Sequence, residues 1–340
     1  MARETVLRDA WNEDDDQRDQ ELRPQRLADV IGQRDVFERL MVAVDATQKR
    51  GESLSHILFD GPPGLGKTTL AMCIPRELGV RIQMTSGPVL KAPRDLVPYL
   101  TNLEERAVLF IDEIHRLPRA VEEYLYTAME DFRIDVVLGE GVNARTHNIW
   151  LKPFTLIGAT TRAGMLSSPL RDRFQIREHL DFYSDEELAQ IVLRSAAKLN
   201  ITIESDAARE IAERSRSTPR IANNRLRWVR DFADSRAEGH ISLEVARRAL
   251  EMAEIDTLGL DKLDRQYLMT LIRLGGPRGI NTISATMNVS SDTLADEVEP
   301  FLLRVELVIR TPQGRLATAK AYDHLQVNAP DQEGQGRLFG

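Results

Sequence analysis

The run Gly61-Pro62-Pro63-Gly64-Leu65-Gly66-Lys67-Thr68 lies between an apolar triplet, Ile57-Leu58-Phe59, and a stretch with helical spacing. Gly-x4-Gly-Lys-Thr after a strand and before a helix is the pattern of a phosphate-binding loop. The glycines Gly61, Gly64 and Gly66 let backbone N–H groups, with that of Leu65, wrap the phosphates, and the helix that follows offers them its positive end. Lys67 is expected at the β- and γ-phosphates, and the Thr68 hydroxyl on Mg²⁺. ATP with Mg²⁺ is the expected cofactor.

Working outward, Val108-Leu109-Phe110-Ile111 is a second apolar run, and it ends in Asp112-Glu113. In an open parallel sheet, ligands collect outside the carboxyl ends of the strands, which brings these acids towards the phosphates. Asp112 is then expected to hold Mg²⁺ through water, and Glu113 to act as general base on the attacking water. A third run, Phe154-Thr155-Leu156-Ile157, leads into Gly158-Ala159-Thr160-Thr161. A hydroxyl there, Thr161 in particular, either reports the γ-phosphate or simply caps the strand. Ser168-Pro169-Leu170-Arg171-Asp172-Arg173-Phe174 carries two arginines, read either as a surface salt-bridge network or as a guanidinium offered to a neighbouring γ-phosphate. Thr218-Pro219-Arg220 opens a later helix with a further arginine for the nucleotide, while His115 reads as a polar loop residue.

Three short apolar runs alternating with helical patterns predict an α/β P-loop domain with a parallel sheet over residues 22–183. From 184 to 256 the strand runs give way to amphipathic helices at Asp185 to Leu199, Ser205 to Ser215 and Leu243 to Ala253, a small helical lid. Residues 257–325 read as three helices, a strand from Val305 to Ile309, a Thr311-Pro312-Gln313-Gly314 turn and a strand from Leu316 to Ala319: a winged helix. Residues 1–21, acid-rich and without periodicity, and 326–340 read as loose tails. A chain of 340 residues is long enough for these three units.

At 42% hydrophobic and 29% charged the composition is globular, and no apolar stretch approaches the ~18 residues of a membrane span. The acidic start lacks the basic-then-apolar order of a secretory leader. A single cysteine, Cys73, rules out an internal disulfide and suits a reducing compartment, so the expectation is a cytoplasmic protein. The net charge of −8 argues against a wholly basic surface, so any contact with nucleic acid must be local.

Phosphate loop, Asp-Glu strand, threonine, paired arginines and lid arginine, in this order, resemble the AAA+ ATPases. The stretches Leu22-Arg23-Pro24 through Val30-Ile31-Gly32-Gln33, Gly61 to Thr69, Leu109 to Leu117, Ala128 to Phe132, Gly158 to Phe174 and Thr218 to Asn223 resemble, more narrowly, the RuvB family. The resemblance covers nearly the whole chain between the tails. It implies a hexameric ring around duplex DNA that works with RuvA on Holliday junctions, and with RuvC in resolution. It also implies that Leu22, Arg23, Ile31 and Tyr183 line adenine and ribose, that Thr69 joins the phosphate loop, and that Glu130, Asp131 and Phe132 lie near nucleotide at the subunit boundary. By the same resemblance Arg173 acts on the next subunit, Arg220 is the second sensor, and a hairpin from Arg133 to Leu151, turning at Gly139-Glu140-Gly141, contacts RuvA. An ordinary sheet insertion is the other reading of that hairpin.

Two departures accompany the resemblance. Pro75 falls inside the helix after the phosphate loop, where a missing N–H predicts a kink or an early end. Asn223-Asn224-Arg225-Leu226-Arg227-Trp228 replaces the family's more basic, leucine-rich lid face. In the winged helix, the helix begun by Ser290 carries Asp296, Glu297 and Glu299 and is too acidic for a major groove. Arg304, Arg310, Arg315 and Lys320 cluster at the wing with Glu306 as the sole nearby acid. Arg310 and Arg315 are therefore expected on DNA phosphates without reading bases, the other reading being a solvated charged hairpin. The rival functions are a clamp-loader-like ATPase that does not translocate, and a scaffold that binds nucleotide without turnover.

Overall fold

The short apolar runs become parallel strands buried on both faces, as continuous Val/Ile/Leu/Phe runs demand. The computed structural model describes residues 21–138 and 145–328. The tails at 1–20 and 329–340, and the Gly139-Glu140-Gly141 turn, lie outside the described residues. Contacts divide the chain into two units. The first reaches to Lys198 and takes in Thr218–Asn223; the second comprises Leu199–Ser217 and the chain from Asn224 onward.

In the first unit the strands are β1 (Ile57–Asp60), β2 (Ile82–Ser86), β3 (Val108–Asp112), β4 (Arg133–Leu138), β5 (Arg145–Trp150), β6 (Thr155–Thr160) and β7 (Ile176–His179). The main sheet runs β2-β3-β6-β1-β7, all parallel. Its central strand β6 is wholly buried, with β1 and β3 on either side. The register pairs Asp60 with Thr160 and Ile111 with Gly158, so three strand ends open on one edge. The edge strands β2 and β7 lack an apolar run and were not foreseen. β4 and β5 pair antiparallel, Arg133 opposite Trp150, as the expected hairpin.

His56 ties this unit together. Its Nδ1 accepts from the Leu156 N–H at 2.9 Å, so Nε2 carries the proton and donates to the Met129 carbonyl at 3.2 Å. Burial lowers its pKa, partly opposed by the Met129 bond. A neutral imidazole held this way stabilises the fold fully above the unfolded value near 6.5, and that contribution is lost as pH falls. Thermal midpoints measured across the mildly acidic range should drop for the parent chain and drop less for His56→Gln. Equal slopes for the two chains refute this.

Pro75 does not end its helix. The helix Lys67–Leu78 runs three residues past it and closes on Gly79 in a left-handed cap. Gly79 N–H donates to Arg76 O and Val80 N–H to Pro75 O, the double bond of a Schellman motif. Proline removes one donor near the end of the helix, while its own carbonyl is one of the acceptors the cap needs.

The second unit opens with helix Ser205–Glu213, the later part of helix Pro219–Arg236 and helix Leu243–Met252, with a two-residue parallel pair, β8 (Thr202–Ile203) and β9 (His240–Ile241). The altered lid segment packs. Leu226 and Val229 are buried, and the Trp228 Nε1–H donates to Ala249 O at 2.7 Å. There follow helices Lys262–Leu274 and Ile280–Met287, then Ser291–Thr293, a π-helical turn Leu294–Val298 and Glu299–Arg304. The strands β10 (Val308–Thr311) and β11 (Gly314–Ala317) make the wing. β10 starts three residues later than expected because Val305 N–H still closes the preceding helix on Phe301 O, and Glu306 turns left-handed at φ 59°. Arg278 adds a short third strand, exchanging both backbone bonds with Arg315 at 2.9 and 2.7 Å. Gly314 permits this approach, since a Cβ there would lie 2.3 Å from Arg278 O.

A buried arginine joins the lid helices to the winged helix within this unit. Arg216 donates to Asp264 Oδ2 at 2.9 Å and to the Glu297 carbonyl, and its guanidinium lies 5.4 Å from the Phe301 ring centroid. Burial pushes the Asp264 carboxyl up to about 7 even with Arg216 beside it. The neighbouring Arg225 donates to Gly259 O at 2.8 Å.

Candidate nucleotide site and wing

The phosphate loop leaves β1 and enters the helix at Lys67, with Gly61, Gly64 and Gly66 all at positive φ. At Gly64 a Cβ would lie 2.7 Å from the Thr218 Cγ2 and 3.1 Å from the Arg220 Cβ. The segment Thr218–Asn223 thus presses directly on the loop, and Arg220 N–H reaches Gly64 O at 3.4 Å. Lys67 Nζ donates to Gly61 O and Pro62 O, both at 2.7 Å. Burial lowers its pKa to about 8; Asp112 opposes this and Arg220 adds to it. An incoming polyanion would oppose this shift by favouring the charged form.

The Thr68 hydroxyl donates to Asp112 Oδ2 at 3.0 Å, bringing the first turn of the helix to the end of β3. The other oxygen, Oδ1, accepts from Glu113 N–H at 2.8 Å. A hydroxyl and a carboxylate in contact form an all-oxygen donor set, suited to a hard cation such as Mg²⁺. Glu113 stands in left-handed backbone, φ 46°, and pairs with Arg116 at 3.1 Å. Thr160 is buried at the end of β6; its hydroxyl lies 3.0 Å from His115 Nδ1 and accepts from Arg162 N–H at 3.0 Å. Thr161 follows in a partly exposed bend.

Among the residues expected to line adenine and ribose, the Tyr183 hydroxyl donates to Leu65 O at 3.1 Å, and its ring is so close to Gly32 that a Cβ there would lie 2.6 Å from it. Leu22 is buried, while Arg23 and Ile31 are partly exposed. A cleft lined by Arg23, Pro24, Gln25, Thr69, Met72 and Arg76 adjoins the loop.

Arg173 turns to another set of partners. It bonds Glu130 at 2.9 Å and Pro169 O at 2.7 Å, and lies 4.4 Å from the Tyr126 ring centroid. None of these partners belongs to the phosphate loop. Asp131 is exposed, and Phe132 packs edge-on to Phe154 with centroids 5.8 Å apart. The hairpin ends on Trp150, 73% exposed, over which Arg133 lies at 5.9 Å.

The wing requires a correction. Glu306 is not the sole nearby acid: Glu299, fully buried, binds both Arg310 and Arg315 at 2.7 Å. Glu299, counted with Asp296 and Glu297 as making the helix too acidic for a major groove, instead faces inward.

Three family models match in succession along the chain. They are the Holliday junction DNA helicase RuvB P-loop domain over residues 22–180, the RuvB AAA lid domain over 183–256 and the RuvB C-terminal winged helix domain over 257–326. The chain belongs to the RuvB family. It is 66% identical to the Holliday junction branch migration complex subunit RuvB of Rhodopirellula baltica, across 92% of this chain and 86% of that protein. Among solved structures, the Thermotoga maritima RuvB Holliday junction branch migration motor is similar at TM-score 0.84 and 47% identity, covering 91% of this chain and all of that one, 100%. A point mutant of the same protein is similar at TM-score 0.85 and 48% identity, covering 91% and 99%. As a RuvB-family chain it is an AAA+ ATPase that binds nucleotide.

Three contacts beside the candidate site residues were not foreseen. His115, taken for a loop residue, bridges the turn after β3 to the end of β6. Lys198 holds the carbonyls of Glu21, Leu22 and Arg23 at 3.0–3.4 Å. Arg194 holds that of Asp29 at 2.5 Å. Each sits on a helix or turn where a lone cation or imidazole in sequence signals nothing, because its partners, a side-chain hydroxyl for His115 and backbone carbonyls for Lys198 and Arg194, are distant in sequence. No described helix is long and apolar enough to cross a membrane.

Proposed function

We propose that the chain is an ATP-driven motor for branch migration of Holliday junctions. It works as a hexameric ring on duplex DNA in the cytoplasm, with RuvA and with RuvC in resolution. The observation that carries the catalytic half is the Thr68–Asp112 contact beside Glu113 and the phosphate loop. In this reading Lys67 meets the β- and γ-phosphates, Thr68 and Asp112 hold Mg²⁺, and Glu113 takes the proton of the attacking water. Thr161 senses the γ-phosphate, and Arg220 reaches the nucleotide across Gly64. Leu22, Arg23, Ile31 and Tyr183, with Thr69, enclose the adenosine side. Arg173 serves the neighbouring subunit's site, with Glu130, Asp131 and Phe132 at that boundary.

The division of labour follows the domains 22–183 for the ATPase, 184–256 for the lid and 257–325 for the DNA-gripping head, with tails at 1–21 and 326–340. The hairpin, with Trp150 exposed on it, suits an apolar contact with RuvA. Arg310 and Arg315 grip phosphates rather than bases, since a motor that read sequence would stall.

A synthetic four-way junction tests this. With Mg-ATP and RuvA, this chain should move the branch point and separate the arms, and the activity should fall steeply with added salt. Hydrolysis that proceeds with RuvA and junction present while the branch point stays fixed would refute the proposal and favour a switch that does not translocate.

A further inference from the structure

Two arginines directly opposite one another on a hairpin should repel. Arg310 and Arg315 are such a pair in the β10–β11 register. What lets them coexist is Glu299, whose side chain is 0% exposed. Its Oε1 accepts from Arg315 Nε at 2.7 Å and from the Tyr267 hydroxyl at 2.8 Å. Its Oε2 accepts from Arg310 at 2.7 Å and again from Arg315 at 3.2 Å. Despite its burial, these donors hold the carboxyl below its usual range, and Glu299 in turn raises the pKa of Arg315.

Arg315 is thereby fixed in a two-pronged grip, 21% exposed, while Arg310 uses one nitrogen and stays 55% exposed. Arg315 is anchored along one edge of its guanidinium and Arg310 through one nitrogen, and the wing strands cannot relax without breaking bonds to a buried anion. We propose that Glu299 is a positioning residue for DNA: a buried carboxylate that sets Arg310 and Arg315 at fixed spacing for the phosphates of a duplex backbone. This rests on the reading that the wing grips DNA.

The proposal opposes simple charge counting. Replacing Glu299 by glutamine adds one unit of positive charge at the wing, which by counterion release alone would tighten binding and steepen its salt dependence. Positioning predicts the reverse. An amide turns an N–H₂ group towards the guanidinium donors, the two arginines lose their common anchor, and phosphate contacts are lost with it.

The test uses the full chain and a labelled duplex, titrated over a range of salt. Glu299→Gln should bind about tenfold more weakly, with a salt slope shallower by about one to two. Its DNA-independent ATPase rate should be unchanged. Added to Arg310→Ala/Arg315→Ala, it should cost nothing further, because the contacts it positions are already gone. Binding as tight as the parent's, or tighter with a steeper slope, overturns the proposal, as does a full additional loss in the double-alanine background. If Glu299→Gln loses its ATPase through misfolding, Tyr267→Phe decides, since it keeps every charge and removes one bond to Oε1. About threefold weaker binding supports positioning, and parental binding overturns it. Should Arg310→Ala/Arg315→Ala bind duplex like the parent, the wing reading itself fails, an outcome distinct from the others.

Discussion

Mixing Lys67→Ala chains with Arg173→Ala chains should restore ATP hydrolysis that neither has alone. Loss of an arginine acting on the transferred phosphoryl group lowers turnover by about 10³–10⁵, and loss of the loop lysine removes the contact that cradles the phosphates. In the mixture an Arg173→Ala chain supplies an intact phosphate loop, and an adjacent Lys67→Ala chain supplies an intact arginine. With random assembly of equal amounts, about a quarter of the interfaces pair them correctly, so the rate should return to about a quarter of the parent's. The geometry motivates this: within its own chain Arg173 is bonded to Glu130, Pro169 O and the Tyr126 ring. Phosphate release over a series of mixing ratios is the measurement. A flat line at the level of the single variants would mean that sites are not shared between subunits.

Glu113→Gln should lower kcat by about 10²–10⁴, the range for a lost general base, with nucleotide affinity nearly unchanged. The reason lies in the backbone. Glu113 follows Asp112, whose carboxylate holds Thr68 and caps the Glu113 N–H, and its own φ of 46° turns its side chain out of the strand's alternation. Glutamine keeps the shape and the Arg116 contact but cannot take a proton. Equilibrium binding of a fluorescent ATP analogue, read beside single-turnover hydrolysis, separates the two effects. A variant that binds tenfold worse yet turns over at the parental rate would move Glu113 from chemistry to binding.

The phosphate loop and the strand ends beside it were legible because their signals are local. A strand, a glycine loop and a lysine occupy adjacent positions, and the same holds for the strand ending in Asp112-Glu113. The edge strands β2 and β7 were not legible, since half-exposed strands carry no continuous apolar run. His115, Lys198 and Arg194 were missed for another reason: their meaning lies in partners 45 to 177 residues away. Glu299 was misread because the helical pattern around it is acidic throughout, and only the approach of the wing strands shows which acid faces inward. Pro75 was legible as an anomaly but not in its effect, which depends on a glycine cap four residues on.

The Arg216 contact bears on how force would pass through the second unit. An ångström of sliding between the Arg216 loop and the Asp264–Glu297 surface would stretch both bonds while water is still shut out, and weakening the bonds of a buried charge without rehydrating it is costly. Such a joint is stiff to small displacements even where a large separation would rehydrate it. Movement delivered to the lid helices therefore reaches the wing without backlash, as through a keyed shaft rather than a slack coupling.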